Sequence, residues 1–193
     1  MKLLQLLPIG EIEPGLLQQF GPRLAQEFNA RWEIIGPAID PQLVYHRERQ
    51  QYHSTELLAE IRGHAARDAW RVLGVAAVDL YIPILTFVFG EAQMGGECAV
   101  VSYHRLRQEF YGLPADAEVL SERLLKEAVH EIGHTLNLTH CDNYRCAMAS
   151  SHGVEYIDLK EVSLCPACEG RVADVIGNGR GSTIAKARSL KFW

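Results

Sequence analysis

No apolar run in the chain approaches the ~20 residues that a bilayer-crossing helix requires, which removes an integral-membrane reading. Basic residues are not in excess either. Lys and Arg number 19 against 24 Asp and Glu, a formal charge of −5, so the overall attraction to phosphate expected of a nucleic-acid binder is missing. Internal repeats and low-complexity blocks are absent, which sets aside solenoids and disordered linkers. Cysteine is scarce and odd in number. Four of the five fall between Cys141 and Cys168, a distribution that suits metal binding in a reducing cytosol better than a disulfide framework. What remains is a compact globular protein, 48% hydrophobic and 22% charged over 193 residues, long enough to bury a real core.

At the N-terminus a basic residue precedes an apolar run, but Gln5 breaks that run, Pro8 stops it, and Glu11 and Glu13 follow. It reads as a first strand over 3–9 rather than a signal peptide, and the protein is expected to be cytoplasmic. Leu16, Leu17, Phe20, Leu24 and Phe28 predict a helix from Leu16 to Arg31. Trp32 to Ile39 reads as a short strand and loop, and Tyr45 to His53 shows no period. Ser54 or Thr55 caps a helix expected to run to about Leu73, with Gly74 as its stop. Strands are predicted at 75–82, 85–89 and 98–102, the last two separated by a loop over Gly90 to Glu97. Ser121 starts a helix ended by Asn137. Beyond Leu138 the pattern becomes irregular, with a Gly-rich basic tail containing Arg171, Arg180, Lys186, Arg188 and Lys191. The expected division is an α/β subdomain over 1–137 and a small C-terminal subdomain over 138–193.

The chemistry is concentrated in residues 130–168. His130 and His134 lie one helical turn apart on one face, so both imidazoles can reach a single ion, and Glu131 between them is aimed elsewhere. A turn at Asn137, one of the few residue types that accept the left-handed conformation, would bring His140 round as a third ligand. Three neutral histidines leave zinc an open fourth position, with Glu131 as general base. Cys141-x4-Cys146 and Cys165-x2-Cys168 supply four thiolates for a closed, structural zinc site. A redox-active Cys165/Cys168 pair would leave Cys141 and Cys146 unexplained. Cys98 reads as a small buried hydrophobe.

His130-Glu131-x-x-His134-x-x-Asn137-x-x-His140-Cys141-x4-Cys146-x-Met148, followed by Cys165-x2-Cys168, resembles the archaemetzincin family of metzincin-clan zinc metalloproteases. The resemblance implies a metzincin-like α/β fold with a twisted mixed sheet over the active helix. It also implies His130, His134 and His140 on a catalytic zinc, Glu131 as base, Met148 as the Met-turn residue, and the four cysteines on a second zinc. The run Phe87 to Gly90 matches a family strand ahead of the cleft-edge strand. Two departures stand out. Asn137 replaces the usual Gly at a position that needs positive φ, and Ser150 stands where some metzincins place a tyrosine ligand.

The expected function is zinc-dependent peptide hydrolysis on a peptide or protein substrate laid along an edge strand at Cys98–Ser102, by a monomer with no nucleic-acid or membrane partner. Endopeptidase and aminopeptidase action both stay open. The second would need an ammonium anchor, for which Glu91, Glu97 and Glu155 are candidates. The alternative is a catalytically silent, zinc-stabilised peptide-binding adaptor. His152 reads as a solvated loop residue, and His46, His53, His64 and His104 carry no assigned role.

Overall fold

The computed structural model describes residues 2–178. The apolar run forms β1 (Leu3–Ile9), and α1 (Leu16–Glu27) buries Leu17, Phe20 and Leu24 in the core. The helix stops short of Arg31. Asn29 takes φ +48° and reverses the chain, so Arg31 opens β2 (Arg31–Ile34), paired in parallel with β1. The featureless stretch after it holds a hairpin, β3 (Tyr45–His46) against β4 (Gln51–His53).

The cap of α2 (Ser54–His64) is the ring of His53, which accepts the Glu56 N–H, not a hydroxyl of Ser54 or Thr55. The helix ends well before Leu73. Residues Arg71–Ala76 form β5, and Val72, read as part of a helical stripe, belongs to a strand buried on both faces. Gly74 therefore ends nothing. A Cβ there would stand 2.5 Å from Ile61 Cδ1 and 2.7 Å from Ile9 Cδ1, so the bare Cα lets α2 settle on the sheet.

Next come β6 (Leu80–Tyr81), β7 (Gly90–Ala92) and β8 (Cys98–Ser102). The expected strand over 85–89 is reduced to one bridge between Val88 and Leu80, and strand appears instead inside the predicted Gly90–Glu97 loop. The main sheet has the order β2-β1-β5-β8-β7 and is parallel except for β7, which runs antiparallel to β8; a smaller sheet has the order β3-β4-β6. Thus Cys98–Ser102 is an interior strand. The edge beside the candidate site is β7.

The long helix α3 (Ala117–Thr135) starts ahead of Ser121 because the Asp116 carboxylate accepts the N–H groups of Glu118 and Val119, each at 3.0 Å. Leu124, Ala128 and Ile132 are wholly buried in the core that α3 shares with β8 and α1. Burying a Leu or Ile side chain is worth about 1.5–3 kcal/mol, more than an exposed ion pair, so this stripe fixes the rotation of the helix and the direction of its polar side chains. Two helices follow, α4 (Val154–Leu159) and α5 (Pro166–Asn178). Among the described residues no helix is long and apolar enough to cross a membrane. Arg180, Lys186, Arg188 and Lys191 of the basic tail lie outside the described residues.

Candidate active site

Asn137 takes φ +65°, the conformation its position was expected to require, and the turn carries the chain from α3 back to His140. The turn is held from two sides. The hairpin linking β7 to β8 donates Gly95 N–H to His134 O at 3.0 Å, and Arg71 at the start of β5 reaches Thr135 O at 3.2 Å and Thr135 Oγ1 at 2.6 Å. Arg71 places a cation at the negative end of the helix. Nothing in the sequence marks that long-range contact. Asn137→Ala is expected to cost about 1–2 kcal/mol of stability and Asn137→Gly much less, read from denaturant unfolding.

His130 Nδ1 lies 2.8 Å from Ala147 O, and His134 Nδ1 lies 2.8 Å from Leu138 O. A carbonyl only accepts, so both Nδ1 atoms carry the proton and both Nε2 atoms present lone pairs. These two Nε2 atoms are 3.0 Å apart. A hydrogen bond between them would need a doubly protonated ring, and burial above all drives His130 well below the ordinary imidazole range and His134 down to about 4. Two lone pairs facing each other are what a shared cation would satisfy. Around tetrahedral zinc, nitrogen ligands at ~2.0–2.1 Å lie about 3.3 Å apart. The His140 ring stands 5.2 Å and 5.1 Å from the other two, and one ligand atom from each of the three falls within 4.8 Å of the others. The donor set fits zinc, with His140 as the exposed member.

Glu131 is only 5% exposed. Burial pushes its carboxyl well above the usual carboxylate range; Glu127 and Glu91 add to the rise and Lys160 opposes it. Glu127 and Lys160 form a buried ion pair at 2.9 Å beside the site. Glu127 precedes Glu131 by one helical turn, a spacing that could have revealed the shared face, whereas Lys160 arrives from beyond α4 with no local signal. A divalent cation held by the three rings would pull the Glu131 carboxyl back towards ionisation.

Met148 lies fully buried in a cluster with Leu138, Cys146 and Cys168, its carbonyl accepting the Cys141 N–H at 2.9 Å. A Cβ at Gly133 would collide with the Met148 sulfur. Gly133→Ala is accordingly expected to lower stability by about 1–3 kcal/mol, measured by thermal unfolding with and without zinc.

The four cysteines gather as the spacing predicts, their sulfurs within 4.8 Å of one another. Cys141 and Cys165 Sγ are 3.8 Å apart, too far for a disulfide bond of ~2.05 Å and matching the ~3.8 Å edge of a zinc–sulfur tetrahedron. The Cys168 N–H draws the Cys165 thiol down to about 7, while burial pushes Cys168 up to about 12. Arg171 donates to Cys168 Sγ at 2.9 Å, so this member of the basic tail faces the thiolate cluster. Cys98 is buried in β8 as expected.

The remaining candidates disperse. Glu97 and Glu155 are exposed, and the Glu91 carboxylate accepts from the hydroxyls of Ser54 and Thr55. His152 is exposed, 6.1 Å from the Tyr156 ring, and burial first, then Lys160, holds His140 below the ordinary imidazole range. His46 and His53 stack at 5.4 Å beside Tyr81, a grouping with no counterpart in their sequence spacing.

An α/β sheet set against a helix that carries a buried glutamate and two of three convergent histidines, the third brought back by a turn, defines a metal-dependent hydrolase of the zincin kind. The family model described as "Peptidase family M54" matches residues 41–174. The archaemetzincin of Methanocaldococcus jannaschii is 42% identical over 168 residues, covering 86% of this chain and 90% of the relative. The archaemetzincin of Pyrococcus furiosus is 38% identical over 189 residues, covering 92% and 96%. Among solved structures, the archaemetzincin of Methanopyrus kandleri superposes with a TM-score of 0.79 at 31% identity, covering 91% of this chain and 96% of that one. A zinc-dependent peptidase from Methanocorpusculum labreanum gives 0.80 at 29% identity, covering 88% and 99%. The chain belongs to peptidase family M54, the archaemetzincin family of zinc metallopeptidases.

Proposed function

We propose that this protein hydrolyses peptide bonds with Glu131 as general base, His130, His134 and His140 holding a catalytic zinc, and Cys141, Cys146, Cys165 and Cys168 holding a structural one. The observation that carries the reading is the pair of Nε2 lone pairs, one on the buried His130 and one on the partly buried His134, facing each other on the helix that presents Glu131. Zinc bound there supplies Lewis acidity towards a scissile carbonyl and acidifies a water. Glu131 takes the proton of the attacking water and delivers it to the leaving amine. The carbonyls of Ala147 and Leu138 keep the His130 and His134 rings in one tautomer throughout.

An extended peptide or protein segment would pair along β7, whose outer row of backbone groups faces no other strand of the main sheet. In this reading residues 1–137 and 138–193 form two lobes bordering the cleft, and the enzyme works as a cytoplasmic monomer. No observation favours the silent adaptor. The test is metal analysis of the purified chain followed by mass-spectrometric profiling of a diverse peptide library. About two zinc ions per chain and discrete cleavage products are expected. Internal cuts would make it an endopeptidase and stepwise trimming an aminopeptidase. An intact library with both zincs bound would sink the peptidase reading.

A further inference from the structure

The edge strand β7 has only three residues, and their alternation sends neighbouring side-chain positions to opposite faces of the sheet. On the face towards α3, Gly90 leaves a gap. A Cβ there would come 2.7 Å from Glu131 Cγ and Oε1 and 2.6 Å from Val100 O, so the Glu131 side chain lies where any other residue would put its own. On the opposite face, the Glu91 carboxylate sits at the N-terminus of α2 and accepts from Ser54 Oγ and from Thr55 Oγ1, the latter at 2.9 Å and 3.1 Å. Ser54 is wholly buried, its single hydroxyl proton lying between the Glu91 carboxylate and Tyr81 O at 3.1 Å, so the receiving end is built into the core. The positive end of α2 favours a carboxylate there.

So short a strand has β8 as its neighbour on one side only, its ladder flanked by bonds from Ser102 N–H to Phe89 O at 2.7 Å and from Gln93 N–H to Cys98 O at 3.0 Å, and no strand of the main sheet on its outer side to fix its register. A slip of one residue would turn the Glu91 carboxylate towards Glu131 and Gly90 away from it. We propose that Glu91 is a positioning residue: anchored to Ser54 and Thr55, it holds β7 in the register that places the Gly90 cradle over Glu131 and the strand's outer edge towards the peptide. It is then an internal clamp, not the anchor for a substrate ammonium that an aminopeptidase would need. The reaction it serves is the peptidase reading given above, on which this inference rests for its catalytic consequence.

The test compares the zinc-loaded full chain with Glu91→Ala and Glu91→Gln. Amide hydrogen exchange is read at residues 90–92, and cleavage is read on one peptide with a free and with an acetylated N-terminus. For Glu91→Ala, exchange at 90–92 should rise while that of β1 and β5 stays unchanged, and kcat should fall about tenfold or more with a smaller change in KM, the scale expected for a sub-ångström displacement. Glu91→Gln, whose carbonyl oxygen still accepts from both hydroxyls, should recover most of both effects, and the loss should be equal for the two peptides. Unchanged exchange at 90–92 in Glu91→Ala would overturn the clamp. So would a loss confined to the free-amine peptide and equally deep in Glu91→Gln, the mark of a substrate anchor. Exchange decides the clamp even if the wild type cleaves nothing, an outcome that would instead count against the peptidase reading.

Discussion

Glu131→Gln is expected to lower kcat by about 10²–10⁴-fold, the usual contribution of a positioned proton-transfer group, while leaving zinc content and melting temperature close to wild type. Glutamine has the shape of glutamate, so the carboxamide can occupy the space left by Gly90 without opening a void. What disappears is the proton acceptor. Neither His130 nor His134 can replace it, because their Nδ1 atoms are committed to Ala147 and Leu138 and their Nε2 atoms face each other across the candidate metal position. Steady-state kinetics beside metal analysis and thermal unfolding check the expectation. Wild-type turnover in a folded, zinc-loaded Glu131→Gln variant would dispose of the assigned base. A variant that also lost zinc would show that Glu131 serves metal retention instead.

Cys165→Ser is expected to have a larger effect on folding than any substitution at the histidines. A structural zinc site contributes on the order of 10–16 kcal/mol of apparent binding free energy, as much as the whole stability of an ordinary domain, about 5–15 kcal/mol. Little else near these sulfurs could substitute, since the adjoining buried cluster comprises Leu138, Cys146, Met148 and Cys168. The damage should reach the histidines as well. Ala147 follows Cys146 directly; its carbonyl holds His130 and its N–H donates to Ser163 O at 3.1 Å, two residues before Cys165. Total zinc should fall from about two per chain to below one, and the melting temperature should drop by on the order of 10 °C if even a third of that energy is lost. Should Cys165→Ser be too unstable to purify, graded chelation of the wild type gives the same information. The thiolate-bound zinc should leave together with activity and near-native melting. Retention of one zinc and an unchanged melting curve in Cys165→Ser would show that the thiol cluster carries no structural role.

The histidine and cysteine constellations were legible because their geometry is local. One helical turn separates His130 from His134, Asn137 turns at φ +65°, and short loops bring each cysteine pair together. Strands β1 and β8 were legible for a similar reason, as apolar runs bounded by polar residues. The boundary between α2 and β5 was not, because Val72 fits a helical stripe and a doubly buried strand equally well and only its pairing between Gln5 and Cys98, within the cluster that holds Ile9 and Ile61, decides between them. The edge strand escaped because a glycine-containing run of three residues has no period to detect. Its pairing with β8 and the carboxylate clamp at α2 make it a strand. Lys160, Arg71 and the Ala147 carbonyl were invisible for one reason, that each acts through a partner at least 17 residues distant.

Every strand of the main sheet lies before residue 103, and both candidate metal sets lie after residue 129. During synthesis the sheet is therefore complete in sequence before the first zinc donor of either set exists, and its inner face has to wait for α3, the same helix that carries His130 and His134. Covering the sheet and assembling the histidine set are thus one event in the order of emergence. The thiol cluster comes last, once Cys165 and Cys168 have followed. A ribosome arrested between residues 103 and 129 would hold a chain with every described strand and no residue of either candidate metal set.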